Sequence, residues 1–239
     1  MKFVADLHTH SIASGHAYST IREIAEAAKD NGMEMIAITD HGPTMPGAPH
    51  PYHFYNLSIL PSEICGVQVL KGIEANIIDD QGNLDLEKEG LERLDIVLAG
   101  LHEICFPGGS VEFNTAAIVN AMASGWVDII VHPGNPVFPV DINKVVEASK
   151  KYRVAIEINN SSLRGVRRGS YANCSKFASL AAEKGSKLVV GTDTHWAEDV
   201  GRFDKAAEIL LQTGVKPEQV LNTSVEKVKS YLAERRKQR

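Results

Sequence analysis

Cysteine is scarce in this chain: Cys65, Cys105 and Cys174 are three in 239 residues, an odd number with no CxxC spacing. A disulfide framework is thereby excluded, and a reducing cytosol is the expected setting. No apolar run approaches the ~20 residues needed to cross a bilayer, so no membrane partner is expected. The opening Met1-Lys2-Phe3-Val4-Ala5-Asp6 brings charge too early for the apolar stretch of a secretory signal. Also missing are Ser/Gly tracts, low-complexity segments and internal repeats, which leaves one domain. Charge of one sign is lacking too. Lys and Arg number 25 against 30 Asp and Glu, a net charge of −5. Basic residues gather only at Arg164, Arg167 and Arg168 and in the tail Arg235-Arg236-Lys237-Gln238-Arg239, which reads as a solvated helix end. An acidic chain without an evident basic groove argues against a nucleic-acid partner.

What is present is globular. Hydrophobic residues make up 44% and charged residues 23%, near the average for folded domains. A soluble cytoplasmic α/β protein is the expectation. Short apolar runs alternate with longer amphipathic stretches. The runs that read as strands are 2–7, 35–39, 67–73, 96–99, 129–131, 155–158 and 188–190. Helices are expected over 20–31, 115–124, 141–151, 171–184 and 202–212, with a last one over 224–236 packed on the outside. Gly32, Gly125, Gly185 and Gly214 stand where helices should stop. Such alternation predicts βα units and a mainly parallel sheet, either doubly wound and open or closed into a barrel.

The nine histidines are not scattered. His8 and His10 end the first strand and His16 lies in the loop after it; His41, His102, His132 and His195 follow the second, fourth, fifth and seventh. The third strand ends in Glu74, and Asp193 precedes His195 by two. In parallel α/β folds the C-terminal strand ends share one face, where active sites are built. Nine residues spread over the chain therefore converge. Extended backbone points His8 and His10 the same way, so both can bite one metal. Neutral imidazoles suit zinc, manganese or iron, and a carboxylate such as Glu74 or Asp193 can bridge two ions and offset their charge. His50 and His53 differ: they sit in the Pro/Gly-rich loop 43–53 and read as lid or surface residues without a ligand role.

The segments Asp6-Leu7-His8-Thr9-His10-Ser11, Thr39-Asp40-His41-Gly42, Gly72-Ile73-Glu74, Leu101-His102, Val131-His132-Pro133 and Gly191-Thr192-Asp193-Thr194-His195 resemble, in order, the motifs of the PHP (polymerase and histidinol phosphatase) superfamily. The likeness covers nearly the whole chain and is nearest the stand-alone YcdX-like branch of probable phosphatases. It implies a distorted (βα)7 TIM-like barrel with a trinuclear metal site. Carried over, His8, His10, Glu74 and Asp193 hold one metal. Glu74 bridges to a second with His102 and His132, and His16, His41 and His195 hold the third. Three Zn2+ are implied, with Mn2+ or Fe2+ as substitutes. Asp40 and Asp6, beside ligands, are expected to orient imidazole N–H groups or to serve as turn formers.

The expected chemistry is hydrolysis of a small phosphorylated substrate by a metal-activated hydroxide, the ions neutralising charge on the phosphate oxygens. The loop after the sixth expected strand carries Arg164, Arg167 and Arg168 onto the metal face, as candidates for gripping phosphate in two-point contacts. Three alternatives remain. A dinuclear amidohydrolase also opens on HxH, but that class uses eight strands and often a bridging lysine, where this chain has Glu74. A phosphodiesterase or exonuclease of the same superfamily is the second, and a non-catalytic metal-binding module the third. Oligomeric state stays open, a homo-oligomer such as a trimer being allowed.

Overall fold

The computed structural model describes residues 1–237 and 239. Eight strands form, all but β4 short: β1 (Ala5–Thr9), β2 (Met35–Ile38), β3 (Glu63–Ile64), β4 (Val67–Asn76), β5 (Ile96–Gly100), β6 (Ile129–Ile130), β7 (Ala155–Asn159) and β8 (Leu188–Gly191). Seven run parallel in the order β1-β2-β4-β5-β6-β7-β8, and the tiny β3 pairs antiparallel with β4. Sequential order with parallel pairing is what βα units produce, and here the sheet curls into a nearly closed barrel. A doubly wound sheet is excluded, because its strand order would reverse.

Closure is uneven. At the upper end β1 and β8 meet through their loops: the His10 amide donates to the Thr194 carbonyl and the Asp193 amide to the His8 carbonyl, both at 2.9 Å. Lower down a side chain fills the gap. Asn222 Nδ2 donates to the Ala5 and Val190 carbonyls at 2.9 Å each, and its Oδ1 accepts from the Val190 amide. One buried amide thus answers backbone groups that a missing ladder would leave bare.

The helices are α1 (Ile21–Asp30), α2 (Tyr52–Asn56), α3 (Lys88–Leu91), α4 (Val111–Ala123), α5 (Ile142–Tyr152), α6 (Ser170–Lys184), α7 (Asp204–Gln212) and α8 (Val225–Arg236). Helix α1 starts on a capping box in which Thr20 Oγ1 and Glu23 satisfy each other's backbone N–H groups. A core of 39 buried residues lies between the strands' outer faces and the surrounding helices. Leu7, Met35, Leu98, Val131 and Val189 fill the lower barrel, where α8 joins them through Val225, Val228 and Leu232. Helix α8 therefore plugs the bottom of the barrel rather than packing on its outside.

That placement corrects the expected solvated tail. Arg235 is 2% exposed, and its guanidinium donates to the carbonyls of Tyr152, Gly125 and Val127. Arg239 Nη2 lies 2.6 Å from Asp128 Oδ2, and Arg236 Nη2 3.0 Å from Asp95. The five donors of a guanidinium, spread over a rigid planar fork, let Arg235 meet three separate carbonyls at once. No helix among the described residues is long and apolar enough to cross a membrane.

Candidate metal centre

The upper end of the barrel is lined by polar side chains that strand alternation turns inward. On β4, Ile73 and Ala75 face the outer layer, so Glu74 between them points to the axis. It is fully buried and forms the hub of the site. Its Oε1 lies 2.8 Å from His132 Nε2, 3.1 Å from His102 Nε2 and 3.4 Å from His8 Nε2. Its Oε2 lies 2.7 Å from His41 Nδ1 and 3.4 Å from His10 Nε2. Asp193 Oδ1 is 3.3 Å from His10 Nε2 and 3.6 Å from His8 Nε2. The ring of His16 stacks at 4.9 Å on both His41 and His195, at the exposed edge. All nine residues singled out at the strand ends thus meet in one place. Asp193 and His132 have φ of 52° and 36°, left-handed backbone that a non-glycine residue holds at a cost, as site residues often do.

Burial and mutual charge set the protonation pattern. Burial opposes ionisation of Glu74, yet the imidazoles of His102, His41 and His8 hold its carboxyl well below the usual range. Asp193 is likewise held well below, against burial, by His8 and Arg167. Burial and then the neighbouring His41 push His10 well below its ordinary value; burial and then Arg167 bring His132 down to about 4. His8 goes the other way: burial opposes its charge, but Glu157, Asp193 and Glu74 raise it well above.

Buried polar atoms ordinarily find hydrogen-bond partners. Here His8 Nε2, His10 Nε2, His41 Nδ1 and Glu74 Oε2 are buried without one, and they face each other across the barrel axis. Three overlapping groups have ligand atoms within 4.8 Å of one another: His8, His10 and Asp193; His41, Glu74 and His102; and His10, His41 and His195. Imidazoles and carboxylates at such spacing fit divalent cations, which would satisfy the orphaned atoms and offset the acidic charge.

A supporting shell was only partly foreseen. Glu157, on β7, is buried, accepts from His8 Nδ1 at 2.8 Å and from the His132 amide at 2.9 Å, and so fixes one imidazole and one strand end. A Cβ at position 191 would overlap its Oε1, so glycine is required there. The missed signal was a lone charge inside the apolar run 155–158. Asp40 acts at one remove: it accepts from Ser14 Oγ at 2.7 Å, and that hydroxyl lies 3.1 Å from His10 Nδ1. Asp6 touches no imidazole. Its carboxyl, pushed up to about 6 by burial, accepts from Thr192 and from the Gly201 amide, tying β1 to the loop after β8.

His50 is exposed; His53, at the start of α2, is half-buried, with its Nε2 3.3 Å from Asp40 Oδ2. The arginines separate. Arg167 is largely buried and donates from Nη1 to Asp193 Oδ2 at 2.9 Å and to Ser162 Oγ at 3.2 Å. Arg164 reaches Asp199 at 3.2 Å. Both line a cavity of about 620 Å³ that opens over His16, His41, His102, Asp193 and His195. Arg168 is exposed and does not line it; Arg202, not anticipated, does.

The PHP domain family model matches residues 6–121. A probable phosphatase of Thermoanaerobacter sp. strain X514 is 52% identical over 99% of this chain and 97% of its own length. One from Acetivibrio thermocellus is 51% identical over 100% and 98%. Among solved structures, the Lactococcus lactis histidinol phosphate phosphatase, complexed with zinc, L-histidinol and phosphate, superposes with a TM-score of 0.62 at 18% identity. The alignment covers 89% of this chain and 94% of that one, a likeness of fold. End-to-end identity with the probable phosphatases, over a barrel whose strand ends carry the family's histidines, places the chain in the PHP family.

Proposed function

We propose that the chain, as one catalytic domain, is a metal-dependent phosphomonoesterase. Its cluster of three divalent ions, zinc in the first instance, is held by His8, His10, His16, His41, Glu74, His102, His132, Asp193 and His195. The observation that carries this is the set of buried, unpartnered ligand atoms around Glu74. A storage site would saturate its ions and close over them, whereas this one opens into a substrate-sized cavity. When bound, the ions lower the pKa of water and neutralise phosphate oxygens. The chain's own residues do the rest. Glu157 holds His8 by its outer nitrogen, and Asp40, through Ser14, holds His10. Arg167 braces Asp193 and Ser162 with Nη1, and from the cavity wall its other nitrogens would be free to grip a phosphate oxygen. The relatives' names as probable phosphatases support the same activity. The substrate is a small molecule and the setting cytoplasmic.

Turnover of p-nitrophenyl phosphate against bis-p-nitrophenyl phosphate, with and without chelator, tests this. Monoester hydrolysis that chelator abolishes is expected. A clear preference for the diester would favour the phosphodiesterase alternative. No turnover of either in the metal-loaded protein would contradict both.

A further inference from the structure

Two loops meet at the mouth of the cavity, away from the barrel axis. One follows β7 and carries Arg164; the other follows β8 and carries Trp196, Asp199 and Arg202. Asn160 joins them: its side chain donates to the Arg202 carbonyl at 2.6 Å and accepts from the amides of Lys205 and Ala206. The arrangement is therefore fixed by buried hydrogen bonds rather than left to surface side chains. Within it, Arg164 Nη1 and Arg202 Nη1 both donate to the same oxygen, Asp199 Oδ1, at 3.2 and 2.9 Å.

Two guanidiniums on one carboxylate leave a net positive charge. Each spends one of its five N–H donors, and neither side chain has another partner among the described residues. An exposed ion pair of this kind adds little to stability. What it does is hold two forked donors, half exposed, over the wall of the cavity. Trp196, 51% exposed, and Tyr18, 73% exposed, line the same mouth beside His195 and His16. Large aromatic faces left open at a cavity mouth suit an organic skeleton lying against them.

Resting on the phosphomonoesterase reading above, we infer that Arg164 and Arg202, held on Asp199, form a second anion subsite. It selects phosphomonoesters whose leaving group ends in a carboxylate or a second phosphate. The phosphate to be cleaved sits over the metal centre with Arg167, the leaving group runs past Trp196, and its anionic end meets the guanidinium pair. A leaving group ending in an ammonium is disfavoured by the same charges.

The test uses the metal-loaded protein and a ladder of ω-carboxyalkyl phosphates and alkanediol bisphosphates of increasing chain length. Each is compared with the alkyl phosphate of matched length, with p-nitrophenyl phosphate as reference. At one or more lengths kcat/KM should favour the anionic end by about tenfold or more, the size of a charge-assisted hydrogen bond. The two anionic series show which anion is preferred. Arg202→Gln should collapse that ratio, and Arg202→Lys should restore part of it. Salt should weaken the preference in the wild type but not in Arg202→Gln. Equal kcat/KM for anionic and plain alkyl phosphates at every length, or a preference that survives Arg202→Gln, would overturn the subsite. Failure to hydrolyse p-nitrophenyl phosphate at all would overturn the phosphomonoesterase reading itself, a result distinct from lost selectivity.

Discussion

The barrel buries charge at both ends, and the two ends treat it oppositely. At the bottom Asp128, Arg235 and Arg239 are all nearly sealed from solvent, with Arg235 spending its donors on three carbonyls and lying 3.6 Å from Asp128. Tyr231 adds a hydroxyl that donates to the Asp128 carbonyl and accepts from the Ala155 amide. At the top Glu74 and Asp193 are as deeply buried, but most groups around them are imidazoles, of which His8, His10 and His41 turn a nitrogen toward carboxylate oxygens without a hydrogen bond. At the bottom opposite charges face each other and offset one another within the protein, even though Asp128 Oδ1 has no hydrogen bond. Imidazoles crowded on carboxylates, some of their nitrogens unpartnered, are a set that cations would complete. Burial of charge alone does not mark a site; the choice of partner does.

The sharpest way to break that contrast is Glu74→Gln, which removes the charge shared by five imidazoles. Activity should fall by more than about 100-fold, since even outer partners of ligands cost 10–100-fold, and bound metal should fall with it. Metal content by elemental analysis and kcat/KM on the same preparation check this. Normal metal with near-normal rate would remove Glu74 from the centre.

Arg235→Ala is the counterpart at the bottom. Removing one partner of a buried ion pair costs about 3–5 kcal/mol, or on the order of 10 °C in Tm for a chain of this length. Rate and metal content per folded molecule should stay as in the wild type. A variant of unchanged Tm that loses metal would show that the two ends are not separable.

Smaller effects sharpen the upper end. Arg167→Ala should lower kcat/KM by about tenfold to a hundredfold, the value of a charge-assisted contact. Arg168→Ala, outside the cavity, should stay within about twofold. Equal losses would mean the loop acts by net charge alone. Least affected should be His50→Ala and His53→Ala: neither should cost a full equivalent of metal. His53→Ala should shift KM a fewfold, because His53 secures the loop 43–53 on Asp40. Loss of one ion in His53→Ala would make it a ligand.

The comparison also explains what could be read from the chain beforehand. The clustering of the histidines with Glu74 and Asp193 was legible because each lies at a strand end or in the loop just after one, and parallel topology alone brings such ends together. Stop glycines were legible for a similar local reason: Gly32, Gly125, Gly185 and Gly214 all take positive φ. Glu157 was harder, because its partners His8 and His132 are distant in sequence and only strand pairing supplies them. Arg235 looked like a tail residue, since local pattern cannot show that a helix end will meet three carbonyls under a barrel. Asn222 carried no signal, as its task exists only where closure fails. Arg168 and Arg202 exchanged places because a clustered loop charge says nothing of direction. Gly165, at φ 109°, turns the chain between Arg164 and Arg167, and both reach the cavity while Arg168 does not.

Whether cations complete the upper end can be measured on the protein itself. The protein, purified without chelator and with metals supplied, is analysed for bound metal, then stripped and titrated with zinc or manganese while Tm and p-nitrophenyl phosphate hydrolysis are followed. About three ions per chain are expected, with a Tm that rises with metal through binding to the folded state and activity that vanishes on stripping and returns on titration. Fewer than one ion per chain, with hydrolysis unchanged in the stripped protein, would contradict it.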